Sequence, residues 1–163
     1  MVTTKDKCLK VLMEQRVTVF IIAYNAEKYI EKVLFRIPLY VARNLTEIFI
    51  IDDSSSDNTY EIAKKITWPQ EYAPIKIYKT PFNQGYGGNQ KLGYRYAIEN
   101  KHDVIVLLHG DGQYAPESLP EIIAPYDNND VDAVFGSRFI TKGGARKGGM
   151  PFYKWIGNII LTG

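Results

Sequence analysis

The residues best suited to chemistry in this chain come in short polar clusters, and most of them directly follow an apolar run. Tyr24-Asn25 follows residues 17–23, Asp52-Asp53 follows residues 46–51, and His109-Gly110-Asp111 follows residues 104–108. Gly136-Ser137-Arg138 follows residues 133–135. A further cluster is a glycine-rich turn over residues 83–89, with Asn83, Gly85, Gly87 and Gly88, that leads into a helical pattern. Glycines permit positive φ and close backbone approach, and a helix start favours anions. If the backbone stays extended past residue 108, alternate residues share a side, so that His109, Asp111 and Gln113 converge. Carboxylates, an imidazole, an arginine and an anion-favouring turn are the parts of a site for a phosphate-bearing ligand.

These clusters need elements to hold them. The runs at 17–23, 46–51, 75–78, 104–108 and 133–135 are short and mostly apolar, and the first is rich in β-branched residues; they read as five strands. Helical patterns lie between them. Residues 26–36 carry Tyr29, Ile30, Val33 and Leu34 at helical spacing. Ser54, Ser55, Ser56 and Asp57 offer N-caps for a helix whose face holds Tyr60, Ile62, Ala63 and Ile66. The helix after the glycine turn runs to about Asn100, and Gly93 and Ala97, one turn apart, would let it lie close to a sheet. Pro116 suits the first turn of a helix running toward Tyr126. Residues 141–149 read as a loop rich in glycine, lysine and arginine, and residues 151–161 as an apolar helix. Such alternation predicts an α/β fold, a Rossmann-like, mainly parallel sheet with helices on both faces. Ligands of such sheets bind beyond the C-terminal strand ends, where the polar clusters sit.

Composition removes some functions. A net charge of +2 gives no general argument for nucleic acid as a partner. A single cysteine, Cys8, cannot close an intrachain disulfide and fits a reducing compartment. Residues 1–16 mix Lys5, Asp6, Lys7, Lys10 and Glu14 with apolar residues, unlike a signal peptide, and no apolar run reaches the ~20 residues of a membrane span. A cytoplasmic protein is expected, compatible with a peripheral place at the membrane face. Two nucleotide folds also fall away. The dinucleotide fingerprint needs glycines after the first strand, where this chain has Ala23-Tyr24-Asn25-Ala26. The P-loop needs Gly-Lys-Ser/Thr, but Gly88 is followed by Asn89-Gln90-Lys91.

From Val17 to Gly163 the chain resembles the family 2 inverting glycosyltransferases of GT-A fold, among them the dolichol-phosphate mannose and glucose synthases. Five motifs carry the resemblance, in family order: Ala23-Tyr24-Asn25, residues 51–59, Asn83-Gln84-Gly85, residues 111–117, and residues 136–139. It implies a nucleotide-sugar site from Ala23, Tyr24, Asn25, Glu27, Asp53, Asn83, Gly85, Gly110 and Asp111. Asp53 would contact the nucleoside, with Asp52 mostly structural. Tyr24 is either a stacking partner for the base or a core tyrosine. A divalent cation, Mg²⁺ or Mn²⁺, would sit at Asp111 with Gln113 and His109 as further ligands. The family usually has Asp where this chain has His109, and that exchange favours softer metals such as Mn²⁺. The family also often has Pro before and Glu after Tyr-Asn. Here Ile22 and Ala26 stand there, with Glu27 one residue later, which leaves the base open.

By the same resemblance the expected activity is transfer of a sugar from a nucleotide diphosphate, with inversion, to a polyprenyl phosphate or another glycan acceptor. A phosphate acceptor is already ionised and needs little help from a general base. Arg138, Arg146 and Lys147 are expected on the acceptor or phosphate side. The basic loop suits an anionic acceptor, a membrane surface or simple solvation. One domain over residues 1–163 is expected: an N-terminal extension to residue 16, a nucleotide-sugar-binding core over 17–140, then the basic loop and the start of an acceptor-side helix. Because the chain stops just after that apolar helix, a continuation beyond Gly163 holding acceptor-binding residues is expected. Two other classes compete. One is a nucleotide-sugar-binding module without catalysis. The other is a nucleotidyltransferase, which usually opens with a Gly-rich loop and Lys or Arg where this chain has Tyr24, Asn25 and Ala26.

Overall fold

Four of the apolar runs pair into one parallel sheet in the computed structural model, which describes residues 2–128 and 130–137. The strands are β1 (Val17–Ala23), β2 (Glu47–Asp52), β3 (Ile75–Lys79) and β4 (Val104–His109), in the order β3-β2-β1-β4. The register places Ala23 opposite Asp52, Asp52 opposite Lys79 and Ile22 opposite His109. The polar clusters that follow β1, β2 and β4 therefore emerge at the same edge. The chain steps outward from β1 to β3 and then returns to lay β4 on the other side of β1. This reversal opens a crevice between the C-terminal ends of β1 and β4.

Alternation along the strands decides what each face meets. Val17, Val19, Ile21, Ile48, Ile50, Val104, Val106 and Leu108 belong to a large core on one face. Helices α1 (Thr4–Glu14), α2 (Ile30–Phe35), α3 (Leu39–Asn44), α4 (Thr59–Lys65) and the short α6 (Leu119–Ile123) contribute Cys8, Ile30, Val41, Ala63 and Ile123 to it. Residues 1–16 thus include a packed helix. Its signals are readable: Thr3 and Asp6 form a capping box, and Cys8, Val11 and Leu12 recur at helical spacing. Burial pushes the Cys8 thiol up to about 11, so it stays protonated in the core.

The opposite face holds Phe20, Ile22, Phe49 and Ile51, with Tyr96 of α5 (Gly85–Glu99) packed against them. Phe20 and Phe49 stack at 4.8 Å, and Tyr96 lies 4.4 Å from Phe49. α5 comes close because Gly93 has no side chain: a β-carbon there would lie 2.1 Å from Phe20 Cε1, inside a fully buried ring. Gly93→Ala is therefore expected to cost about 2 kcal/mol, through overpacking that Phe20 cannot relieve. Thermal melts followed by circular dichroism measure this, and an unchanged midpoint would mean that α5 can slide away freely.

A polar network closes the N-terminal edge of the sheet. Glu47 is 5% exposed and accepts hydrogen bonds from Lys76 Nζ at 2.6 Å and His102 Nε2 at 3.0 Å. Lys76 also donates to Tyr96 Oη at 2.9 Å, which ties β3 to α5.

Some predicted elements differ. The helix expected from residue 26 starts at Ile30, because residues 25–27 are drawn into hydrogen bonds with the segment after β2. The glycine turn is already helical from Gly85, so Gly87 and Gly88 belong to α5. The chain divides into two compact units, Met1–Asp132 and Ala133–Gly163. In the second, residues 133–137 take no regular structure, so the fifth strand is not formed there. Three apolar residues before Gly136 fall short of the usual five or so that sustain a ladder. Arg138, Arg146, Lys147 and the apolar segment 151–161 lie outside the described residues.

Candidate functional site

A cavity of about 380 Å³ opens in the crevice between the ends of β1 and β4. Its walls come from three places: Ile22, Ala23 and Tyr24 at the end of β1; His109, Gly110 and Asp111 at the end of β4; and Asp53 with Asn83, Gly85, Tyr86 and Asn89. Of the expected donor-site residues, Ala23, Tyr24, Asp53, Asn83, Gly85, Gly110 and Asp111 are thus brought together. His109, expected at the metal, lines the same cavity. Ile22, Tyr86 and Asn89 were not expected there. The signal for the last two lies in the helical start at Gly85, which puts residues 85, 86 and 89 on neighbouring turns.

Asn25 and Glu27 do other work. Asn25, at φ +49°, donates its backbone N–H to Ser55 Oγ and accepts from the N–H and hydroxyl of Ser56 through Oδ1. Glu27 accepts from Asn58 N at 3.0 Å and donates its own N–H to Asp57 Oδ2 at 3.1 Å. Ala26 N–H goes to Thr59 Oγ1 at 2.7 Å. The loops after β1 and β2 are thereby laced into one wall. Neither Asn25 nor Glu27 lines the cavity, since their polar groups face the neighbouring loop.

The two aspartates after β2 separate by environment. Asp52, fully buried, accepts from both the N–H and the hydroxyl of Ser55 and has Lys79 Nζ at 3.9 Å, a structural cap. Asp53, 3% exposed, accepts from Gln84 N at 2.8 Å and Thr80 Oγ1 at 3.1 Å. Both bonds fall on Oδ1, which leaves Oδ2 without a hydrogen bond among the described residues. Asn83 braces this arrangement, donating to Asp53 O at 3.1 Å and accepting from Gly85 N at 2.9 Å. Gly85 takes φ +72°, a backbone shape that a side chain would strain. The start of α5, with no acidic residue in its first turn, thus borders the cavity with the positive end of its dipole.

At β4 the strand ends at His109 and the chain turns: Gly112 has φ +74° and Gln113 N donates to Asp111 Oδ1 at 3.0 Å. The extended backbone that would aim His109, Asp111 and Gln113 at one point is absent, and Gln113 does not line the cavity. Gly110 fits beneath the turn because a β-carbon would crowd Ala23, Ile30 and Ile22 O at 3.2–3.3 Å. Arg36 holds the turn from outside through a two-pronged pair with Glu117, at 2.6 and 2.8 Å. His109 Nε2 is 3.2 Å from Tyr86 Oη, and Tyr114 meets the imidazole edge-on at 4.3 Å. Burial, then the neighbouring Tyr114 and Tyr94, raise the Tyr86 hydroxyl above its ordinary value, so it stays protonated against the imidazole. Among the described residues no three His, Cys, Asp or Glu side chains gather to hold a metal.

Known proteins resemble this chain. The chain is 30% identical over 161 residues to a UDP-N-acetylglucosamine–dolichyl-phosphate N-acetylglucosaminyltransferase of Methanococcus voltae, covering 93% of this chain and 62% of that one. It is 31% identical over 139 residues to a dolichol-phosphate mannosyltransferase of Pyrococcus furiosus, covering 85% of this chain and 37% of the other. The chain spans about half the length of the curated relatives it matches. A mannosyltransferase from Pyrobaculum calidifontis, solved with GDP-Man and Mn²⁺, superposes with a TM-score of 0.56 at 20% identity, over 71% of this chain and 37% of that one. The parallel sheet and its crevice are thus the GT-A arrangement. The model of glycosyl transferase family 2 matches residues 18–157, nearly the whole of what carries the strands, the cavity and its walls, and the chain belongs to that family.

Proposed function

We propose that this chain binds a nucleoside-diphosphate sugar in the β1–β4 cavity and passes the sugar, with inversion, to a polyprenyl phosphate. The observation that carries this reading is the convergence of Asp53, Tyr24, Asp111 and the α5 start on one cavity large enough for a small ligand. The names of the two relatives, both dolichyl-phosphate sugar transferases, support the acceptor class. Asp53 Oδ2 takes a donor group of the nucleoside, and Tyr24, 53% exposed, offers its ring to the base. The start of α5 faces the diphosphate.

Asp111 fits a divalent cation as a one-carboxylate site, with diphosphate oxygens and water completing the shell, a common pattern for Mg²⁺. His109 is engaged with Tyr86, and Gln113 stands apart from the cavity. The mannosyltransferase solved with GDP-Man and Mn²⁺ supports such a cation. When bound, it supplies Lewis-acid stabilisation of the charge that develops on the departing diphosphate. An ionised phosphate acceptor attacks the anomeric carbon opposite that leaving group, which inverts the centre. Arg138, Arg146 and Lys147 are assigned to the acceptor phosphate. The acceptor is a lipid, so the chain works at a membrane surface, on the cytoplasmic side. No helix among the described residues is long and apolar enough to cross a membrane.

Asp111→Asn is expected to weaken Mn²⁺-dependent nucleotide binding about tenfold or more while leaving metal-free binding unchanged. Calorimetric titration of UDP and GDP, with and without Mn²⁺, reads both. Unaltered Mn²⁺-dependent affinity in the variant would remove Asp111 from the cation site. A radiolabelled-donor assay with polyprenyl phosphate tests the transfer itself. Donor binding with no transfer would favour a second reading, a donor-binding module, for which His109 in place of a carboxylate is the supporting observation.

A further inference from the structure

Asn89 lies in the second turn of α5 with its side chain fully buried. Its Nδ2 donates to Ile51 O at 3.0 Å, while its Oδ1 is buried with no hydrogen-bond partner. The orientation of the amide is set by chemistry. Ile51 O can only accept, so the NH₂ group must face it and the oxygen must be the unpaired atom. A buried acceptor without a donor is unfavourable, and native proteins rarely keep one without a reason. Asparagine is also a poor choice inside a helix, because its side chain competes with the backbone for hydrogen bonds. Local structure therefore does not account for it, whereas its position does: Asn89 lines the cavity that also holds Asp53 and Asp111.

We infer that Asn89 is a specificity-determining residue, whose Oδ1 accepts a hydrogen bond from an O–H or N–H of the bound nucleotide sugar. The inference rests on the proposed donor site. The wall of the cavity now holds two vacant acceptors, Asp53 Oδ2 and Asn89 Oδ1, one charged and one neutral. A ligand that places a donor on each satisfies both, and a ligand offering only acceptors there leaves Asn89 unpaired. The phosphates are excluded as its partner, since their oxygens only accept. The candidates are a ribose hydroxyl, an N–H of the base and a hydroxyl of the transferred sugar.

The test is calorimetric titration of the full chain and of Asn89→Ala with UDP, GDP and their sugar conjugates, then with 2′-deoxy and base-N-methyl analogues. Asn89→Ala is expected to bind its best ligand about tenfold more weakly. One group deletion in the ligand should cost wild type the same factor and cost the variant nothing, which identifies the source of the donor. If the variant instead loses sugar conjugates but not UDP or GDP, the partner is a sugar hydroxyl. Equal affinities in both proteins, or deletions that cost both equally, overturn the inference while leaving donor binding intact. No binding of any nucleotide to wild type overturns the donor site and this inference together. Because Asn89→Ala also loses the bond to Ile51, the wild-type side-chain ¹⁵NH₂ resonances of Asn89 supply a second readout. They should shift with the best ligand and far less with the analogue lacking the donor; equal shifts with both count against the inference.

Discussion

Asp53→Asn is expected to weaken nucleotide binding by about a hundredfold, with and without Mn²⁺, and to leave the ligand-free melting temperature close to that of wild type. The asymmetry of the two carboxylate oxygens is the reason. Oδ1 holds Gln84 N and Thr80 Oγ1, and an amide oxygen can keep both bonds. Oδ2, which has no hydrogen bond among the described residues, becomes an NH₂ group in the variant, so an acceptor turns into a donor facing a donor. The loss then includes a charge-assisted hydrogen bond and a repulsive contact. Calorimetric titration separates the possibilities. A loss confined to the Mn²⁺-dependent part would place Asp53 at the cation. A large fall in the melting temperature would make the residue a brace for α5 and not a ligand contact.

Glu47→Ala should lower folding stability by about 3 kcal/mol, the low end for breaking a buried ion pair, because Lys76 is 44% exposed and recovers some solvation. His102, whose side chain is 1% exposed, has no such recourse and loses the acceptor for its Nε2. The pH dependence follows from two opposed shifts. Burial pushes the Glu47 carboxyl up, but hydrogen bonds from Lys76, Tyr96 and His102 outweigh it and hold the group below its ordinary 4.5. Its contribution is present above pH 4.5 and fades as pH falls through the folded value. The Lys76 ammonium is raised above its ordinary 10.5, chiefly by its hydrogen bond to Glu47 and then by Tyr96. That contribution is complete below pH 10.5 and fades as pH rises through the folded value. Burial and its neighbours push the Tyr96 hydroxyl up to about 12, so it remains protonated across this range. Urea denaturation at several pH values should thus give a wild-type minus Glu47→Ala difference that is flat from about 4.5 to 10.5 and smaller outside. A difference below about 1 kcal/mol at pH 7 would reduce the network to a surface ion pair.

Much of the fold and part of the cavity lining were legible in the residues. Mostly apolar runs marked four parallel strands; β1 and β2 are buried at every position, whereas β3, at the sheet edge, leaves Lys76 and Tyr78 exposed. Gly93 with Ala97 announced the close approach of α5, and the parallel alternation pointed to the strand ends, where the cavity lies. Three features were hidden by tertiary context. The turn at Gly112 depends on a positive φ that glycine permits but does not require, so the spacing of His109, Asp111 and Gln113 suggested a convergence the backbone does not make. Asn25 and Glu27 have ligand-like chemistry, but their partners are Ser55, Ser56, Asp57 and Asn58, some thirty residues away in sequence. Asn89 read as the last residue of the glycine-rich turn, and its full burial shows only once the helix is seen to start at Gly85.

The lacing of the two loops has a thermodynamic consequence. A segment that orders only when its ligand arrives subtracts its lost conformational freedom from the affinity, roughly 1–2 kcal/mol for each backbone residue fixed. Here residues 25–27 and 55–59 are already held to each other by backbone and side-chain hydrogen bonds, so this wall has little freedom left to lose. Contact energy of a ligand docked against this wall would then pass almost undiminished into affinity, as docking to a finished surface.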